Sequence, residues 1–306
     1  MKRHRGVALI IALLLVALGT LVIAALMEQN QLAVARTRNL LREQQAYAYA
    51  RGMEAYAFEV LRRDQADGAG TDSNTDLWAS PMPPIDVPGG RLAGRMRDLN
   101  GCLNLNGLAL ANNAVERGRI ERLLRLLKLN PELVEAIIDW VDADNTPEAR
   151  GAEDLSYLLL DPPYRAANRP FRHVSELRLV RGFDEDAFRS IEPHVCAAPS
   201  NTLLNVNTAS ELVLRSLVEG MSEATARRLY NSGRARYRSA DEVKVLLEQE
   251  GLIPMTPLEA NKISVASSLF LAESMIELND IPLNYFSVIE RRSGSLRVIA
   301  RSRGVF

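Results

Sequence analysis

Hydrophobic and polar positions change period several times along the chain. From Val7 to Met27 no charged residue occurs, and the run is almost entirely Val, Ala, Leu and Ile. A helix over that run is about 31 Å long, against a hydrocarbon core of roughly 30 Å. It follows a leader, Met1–Gly6, that holds Lys2, Arg3 and Arg5 and no acid. By the positive-inside tendency such a leader stays in the cytoplasm, and the remainder of the chain is expected to be exported. Two rival readings stand. One is a buried soluble helix, though few are this long and this free of charge. The other is a cleaved secretory signal, for which Val22-Ile23-Ala24 is a weak cleavage site. Against cleavage, Glu28–Asp64 continues in helix-friendly residues with no proline and a single glycine, Gly52. Apolar residues at Leu32, Leu40, Ala46, Tyr47, Ala50, Met53, Ala57 and Leu61 fall at roughly the spacing of one helical face. The pattern predicts a membrane helix that runs straight into an amphipathic stalk.

Residues 65–90 read as a linker or surface loop rich in Asp, Gly, Ser and Pro, including Pro81, Pro83, Pro84 and Pro88-Gly89-Gly90. Arg91–Leu99 then alternates Leu92 and Met96 with polar neighbours, the period of a short strand, and Asn100-Gly101 and Asn104–Gly107 end it with turn chemistry. From about Asn113 to Leu258 the period is helical. Ile120, Leu123, Leu124 and Leu127 form one stripe. Leu133, Ile137, Trp140 and Val141 form another, introduced by Asn130-Pro131 as cap and first helical residue. Further helices are expected near 175–180, 184–192, 208–219, 222–232 and 239–250. Ser268–Leu278, Tyr285–Arg292 and Leu296–Ser302 return to strand character, the last two joined by the hairpin signal Ser293-Gly294-Ser295. The first strand pairs with the last ones only if the helical block loops out between them, which predicts an α+β domain with a helical insertion.

The net charge of −1 over 306 residues gives no bulk attraction for nucleic acid or anionic lipid. Three histidines and two cysteines nearly exclude a zinc cluster built from those ligands. His173 and His194 have no nucleophile-elbow or similar companion, so no enzyme is expected. The densest chemistry is acidic. Asp139, Asp142, Asp144, Glu153 and Asp154 lie within sixteen residues around Asn145-Thr146-Pro147 and Gly151. Clustered carboxylates repel unless a cation neutralises them, and hard oxygen ligands select Ca²⁺ over softer metals. The spacing is not that of an EF-hand, and a solvated acidic loop without metal is the alternative.

The leader Lys2-Arg3-His4-Arg5-Gly6 followed by Val7-Ala8-Leu9-Ile10 resembles the type IV prepilin leader. In that family prepilin peptidase cuts after the glycine and methylates the new N-terminus, which implies Gly6 and Val7 as the cleavage and N-methylation pair. Gln44-Gln45-Ala46, Gly101–Asn106, Asp139–Asp144, Gly151–Asp154 and Leu204–Ala209 resemble, in order and over nearly the whole chain, general secretion pathway protein K, the large minor pseudopilin of the type II secretion system. The resemblance implies a pilin-like fold with a long N-terminal helix, a small antiparallel sheet and a large inserted all-α domain. It divides the chain into a leader at 1–6, a transmembrane and stalk helix at 7–63, and the first part of the pseudopilin α/β domain at 64–112. An inserted helical domain at 113–262 and C-terminal strands at 263–306 complete it.

The same resemblance implies a non-enzymatic subunit that caps the pseudopilus tip, helps initiate its assembly, and is held in the inner membrane before assembly into the periplasmic pseudopilus. Its expected partners are the minor pseudopilins I and J, prepilin peptidase, and the secretin or secreted substrates. Counting from Val7, the fifth residue is Ile11, where major pilins carry a glutamate that neutralises the preceding subunit's N-terminus. A carboxylate in mid-bilayer costs about 2.5–3.5 kcal/mol and needs such a partner, so a tip subunit with nothing above it carries an apolar residue. Ile11 is also what plain lipid burial selects.

The family's helical domain is associated with bound calcium, which implies Asp142, Asp144 and Glu153 as ligands, with Asp139 and Asp154 completing the candidate set. Cys102 and Cys196 stand where the family more often has Arg and a small residue, and the paired departure suggests one disulfide. Two buried free thiols are the alternative.

Ser175–Gly182 and Ser210–Gly220 also resemble helix-hairpin-helix units, and Asn205–Ser210 resembles DNA-uptake receptors, so a membrane-anchored exported nucleic-acid-binding module is the competing reading. The acids Asp184, Glu185, Asp186, Glu219 and Glu223 argue against it, and no nucleic acid is expected as a partner. Arg227, Arg228, Arg234, Arg236 and Arg238 form the best basic cluster for it.

Overall fold

The computed structural model describes residues 5–67, 70–252, 261–292 and 294–304. The leader cations Lys2 and Arg3, the expected helix end at Leu258 and the hairpin residue Ser293 lie outside these described residues. Helix α1, Arg5–Asp67, is continuous. Its Leu9–Met27 run is exposed along its length, and it is the one helix among the described residues long and apolar enough to cross a membrane. The buried stripe begins only at Ala46 and continues through Ala50, Met53, Ala57 and Leu61 in three- and four-residue steps, with Val60 beside it. Leu32 and Leu40 remain exposed, ahead of the buried stripe, and Tyr47 is half-exposed at the side of it, its ring 6.2 Å from that of Tyr285.

That stripe packs on a five-stranded antiparallel sheet of order β1-β2-β7-β8-β9. Its strands are β1 (Met82–Val87), β2 (Gly90–Asp98), β7 (Leu269–Leu278), β8 (Ile281–Arg292) and β9 (Ser295–Arg303). Strand β2 pairs with β7 from Gly90↔Leu278 to Asp98↔Phe270, closing the sheet across the whole intervening block. Close approach of α1 depends on Gly94, where an added Cβ would lie 2.6 Å from Met53 Cε. Strand β1 falls in the segment read as loop. It tolerates Pro83 and Pro84 because it is an edge strand whose register slips between Met82 and Ile85. Strand β8 begins four residues before Tyr285, and Asn279-Asp280, both at positive φ, turn the chain tightly from β7.

Between β2 and β7 lies a second core, spanning Leu103 to Ile263. It is built around α2 (Ala114–Leu126), α3 (Leu133–Val141), α4 (Asp154–Leu158), α5 (Glu185–Ile191), α6 (Glu211–Arg215), α7 (Glu223–Tyr230) and α8 (Ala240–Gln249). Asp184, Ser210, Ser222 and Ser239 each accept the N–H three residues on, which fixes the starts of α5, α6, α7 and α8. The 175–180 segment is a 3₁₀ turn, Val174–Leu179, and α6 covers only five residues of the expected 208–219 helix. Asn130 caps the turn before α3 through the Glu132 N–H, and the helix itself starts at Leu133. Two short parallel ladders interrupt the helices, β3 (Leu103–Asn104) with β4 (Val195–Cys196), and β5 (Leu204–Asn205) with β6 (Ile263–Ser264).

Candidate metal centre and its setting

Helix α3 carries Asp139 and Trp140 in its last turn and hands the chain to the acidic loop at Asp142. The loop returns at Glu153, the residue that precedes α4. One carboxylate oxygen from each of Asp142, Asp144 and Glu153 lies within 4.8 Å of the others. Glu153 is 7% exposed, yet neither of its carboxylate oxygens has a hydrogen-bond partner, and Asp142 Oδ1 is likewise buried and unpartnered. Burial, reinforced by the surrounding Asp139, Asp142 and Asp144 carboxylates, pushes Glu153 up to about 7. Burial, then Asp144 and Asp139, pushes Asp142 up to about 6. Buried carboxylate oxygens without donors, facing one another, are the donor set a hard cation satisfies.

The other two candidate acids are engaged elsewhere. Asp139 is fully buried; its Oδ1 accepts the Glu148 N–H at 3.0 Å, and the Ala152 backbone also donates to it. Gly151 packs so closely that an added Cβ would overlap Asp139 Oδ2. Asp139 therefore folds the loop, and its pKa is raised chiefly by burial. Asp154 accepts from the Ala166 N–H and pairs with Arg165 at 2.9 Å, tying α4 to the following segment. Asp144 Oδ1 accepts the Thr146 N–H at 2.7 Å, a local turn that leaves its other oxygen free for the cluster.

A residue the sequence reading missed completes the setting. Asn168, at φ 44°, donates through Nδ2 to the Asp144 carbonyl and to Asn145 Oδ1, both at 2.7 Å, while its own Oδ1 is buried without a partner. Only its polar, left-handed-tolerant character within Ala166–Pro170 hinted at it. Beneath the loop Trp140 meets Tyr157 edge-on at 5.3 Å, and Tyr157 stacks on Tyr164 at 5.3 Å, giving the acids a rigid apolar floor.

Cys102 and Cys196 are disulfide-bonded, with Cα atoms 5.8 Å apart. The bridge staples β3 to β4 where the chain enters the second core. Beside it, groups from distant parts of the sequence form a polar neck. Asp98 Oδ2 accepts from Ser267 Oγ at 2.6 Å and Thr208 Oγ1 at 2.5 Å, and Asn205 spans Ser267 Oγ and the Asp72 carbonyl. Arg291 binds Asp72 and lies 3.5 Å from Asp64. Burial pushes Asp98 up to about 6; burial and then the Asp72 and Asp76 carboxylates push Asp64 up to about 6. In the segment considered for nucleic acid, Arg227 pairs with Glu223, Arg228 with Glu250 and Arg236 with Asp76. Gly6 and Val7 lie in the first turn of α1, and Ile11 is exposed on that helix.

The profile described as type II secretion system (T2SS), protein K matches residues 101–200 and 204–266, a span that contains the acidic loop and both cysteines. Over 320 aligned positions the chain is 38% identical to type II secretion system protein K of Pseudomonas aeruginosa, covering 99% of this chain and 94% of that protein. Identity to protein K of Pectobacterium carotovorum subsp. carotovorum is 31%, with coverage of 99% and 97%. A chain of the crystal structure of the GspK-GspI-GspJ complex from enterotoxigenic Escherichia coli superposes with a TM-score of 0.78 at 26% identity, covering 89% of this chain and 100% of that one.

Proposed function

This chain belongs to the type II secretion system protein K family, and from that premise we propose that it caps the tip of the pseudopilus and helps start its assembly. Membership makes it a structural minor pseudopilin rather than an enzyme, and its long apolar N-terminal helix fits a single-pass membrane anchor. The observation that carries the capping role is the second core inserted between β2 and β7. A subunit that packs α1 among its neighbours but broadens at the sheet has room at one end of a filament and none beneath another subunit. Ile11 agrees with that position, since no preceding N-terminus needs neutralising. On this reading prepilin peptidase releases Met1–Gly6, Val7 becomes the methylated N-terminus, and the span rests in the inner membrane until assembly. The partners are the counterparts of the I and J subunits in the related complex, with the secretin or secreted proteins beyond them.

Calcium belongs to the same proposal. Asp142, Asp144 and Glu153 would hold it, and it would neutralise three mutually repelling acids and fix the loop from α3 to α4. N-terminal sequencing of the mature protein tests the assignment together with co-purification of the I and J subunits. Processing after Gly6 and a stable three-subunit complex are expected. An intact Met1–Gly6 in a strain with active prepilin peptidase would sink the proposal.

A further inference from the structure

Tyr157 ties the chain after α4 back onto itself, its carbonyl accepting the Leu160 N–H at 3.2 Å and the Tyr164 N–H at 3.4 Å. What this loop holds outward is apolar. Leu155 is 81% exposed and Leu159 89%, with Leu158 and Leu160 exposed beside them. Scattered exposed leucines are ordinary on a soluble surface, but four within six residues mark a contact site. Exposure this high also means a protrusion, whose counterpart is concave. The knob is rigid, since Tyr157 is fully buried and stacks on Tyr164. It ends in an acid, Asp161, which makes no ion pair among the described residues.

The same chain carries a concave counterpart. A cleft of about 890 Å³ lies between the insertion and the face of the sheet turned away from α1, a volume within the roughly 300–1,000 Å³ typical of binding sites. Its floor includes Leu269, Val288 and Ala300, which share that face by register, while Phe270 and Ile289 meet α1 on the other. Arg97 of β2 borders one end and Ala300 of β9 the other, so the cleft crosses three strand spacings, about 14 Å. Val174 and Phe188 of the insertion form an apolar wall. Beside them the Arg172 guanidinium makes no ion pair among the described residues. Most other bordering charges are answered, Arg178 by Glu185, Arg301 by Glu54 and Asp98 by its neck donors. Arg97 lies 4.0 Å from Glu273, and Glu192 is the remaining acid.

Knob and cleft are neighbours. The turn Val174–Leu179 borders the cleft through Val174, Ser175 and Arg178, and its Leu179 carbonyl accepts the Tyr164 hydroxyl at 2.8 Å. Neighbouring complementary surfaces on one chain can satisfy each other across a two-fold axis, and such a contact closes at two copies. We propose that two copies of this chain associate reciprocally, each placing its knob, residues 155–161, in the other's cleft, with Asp161 against the partner's Arg172. Burial of the leucines supplies affinity, and the ion pair fixes the orientation. Two α1 spans in one bilayer stand parallel, which a two-fold axis along the membrane normal allows. The inference rests neither on tip position nor on calcium.

Sedimentation of the full chain in detergent micelles over about 1–100 μM tests this. A monomer–dimer equilibrium is expected. Leu159→Asp should weaken dimerisation about ten-fold or more, and so should Asp161→Arg or Arg172→Asp alone. Mixing the Asp161→Arg chain with the Arg172→Asp chain should restore a dimer, because both contacts then regain opposite charges. Unchanged thermal unfolding of all three variants excludes misfolding as the cause. Monomer throughout the range, a dimer indifferent to Leu159→Asp and so held by α1, or no rescue on mixing would overturn the proposal. A monomeric wild type that loses co-purification with I and J on Leu159→Asp gives the knob to another protein and overturns it equally.

Discussion

Glu153 brings two unpartnered carboxylate oxygens into a buried loop beside Asp142 and Asp144, and the sign of its titration follows from that. With Glu153 at about 7 and Asp142 at about 6, both bind protons more tightly in the folded chain than in the unfolded one. Without metal, the stabilising effect of protonating them is full at acid pH and is lost as pH rises through about 6 to 7. Calcium held as proposed would compete with those protons, so its stabilising increment should run the other way, small at pH 5 and large at pH 8. At free calcium about 100 times the dissociation constant the increment is about 3 kcal/mol. Calorimetry with calcium or with chelator measures it, and Glu153→Gln should remove most of it; an increment flat across pH would refute the ligand assignment. Arg291 poses the opposite case, a buried cation answering Asp72 and Asp64 and lying 4.9 Å from the Phe270 ring centre. Arg291→Met removes the cation that answers both carboxylates, leaving Asp72 the Ser267 N–H, and should cost about 3–5 kcal/mol in urea unfolding.

At the scale of elements, the ladder of β3 and β4 has only two residue pairs, so the Cys102–Cys196 bridge is its main restraint. Replacing both cysteines by alanine should cost about 2–4 kcal/mol. Hydrogen exchange should then rise first around Leu103 and Val195, while the α1–sheet core stays protected. This ladder also shows where sequence reading stops. Long periodic elements were legible: the Ala46–Leu61 stripe, the β2 alternation and the three C-terminal strands follow from local spacing. Two-residue parallel strands have no period to read, and β1 is masked by Pro83 and Pro84, which only an edge strand accepts. The acidic loop was legible as composition. That Asp139 is spent on the Glu148 and Ala152 N–H groups, and that Asn168 joins from beyond α4, depends on contacts no local pattern encodes. The neck is the extreme case, because Asp72, Asp98, Asn205, Ser267 and Arg291 meet from five separate stretches of sequence.

For the whole molecule, the neck decides how separable the two cores are. The Leu99 N–H donates to the Leu269 carbonyl at 3.0 Å, and Asn100 Oδ1 accepts the Ser268 and Leu269 N–H groups. The strands leading into and out of the insertion therefore touch, and a short glycine-containing turn in place of residues 101–266 would span the gap without moving β2 or β7. Such a chain loses Thr208 and Asn205 but keeps Ser267, whose Oγ still donates to Asp98 and whose N–H still donates to Asp72, and removing the insertion opens these carboxylates to water, where they cost nothing to keep charged. It should retain the α1 stripe and the five-stranded order, visible as preserved strand signal in circular dichroism and protection of β7 and β8 amides. What it loses is breadth. If the insertion is what makes this subunit a terminus, the excised chain can be stacked like its neighbours. Cells producing it in place of the full chain should then make longer pseudopili with the excised subunit at internal positions, and secrete poorly. Electron microscopy with a tag on β9 distinguishes internal from terminal subunits. A folded, excised subunit found only at tips would place the capping determinant in α1, with Ile11, rather than in the inserted domain.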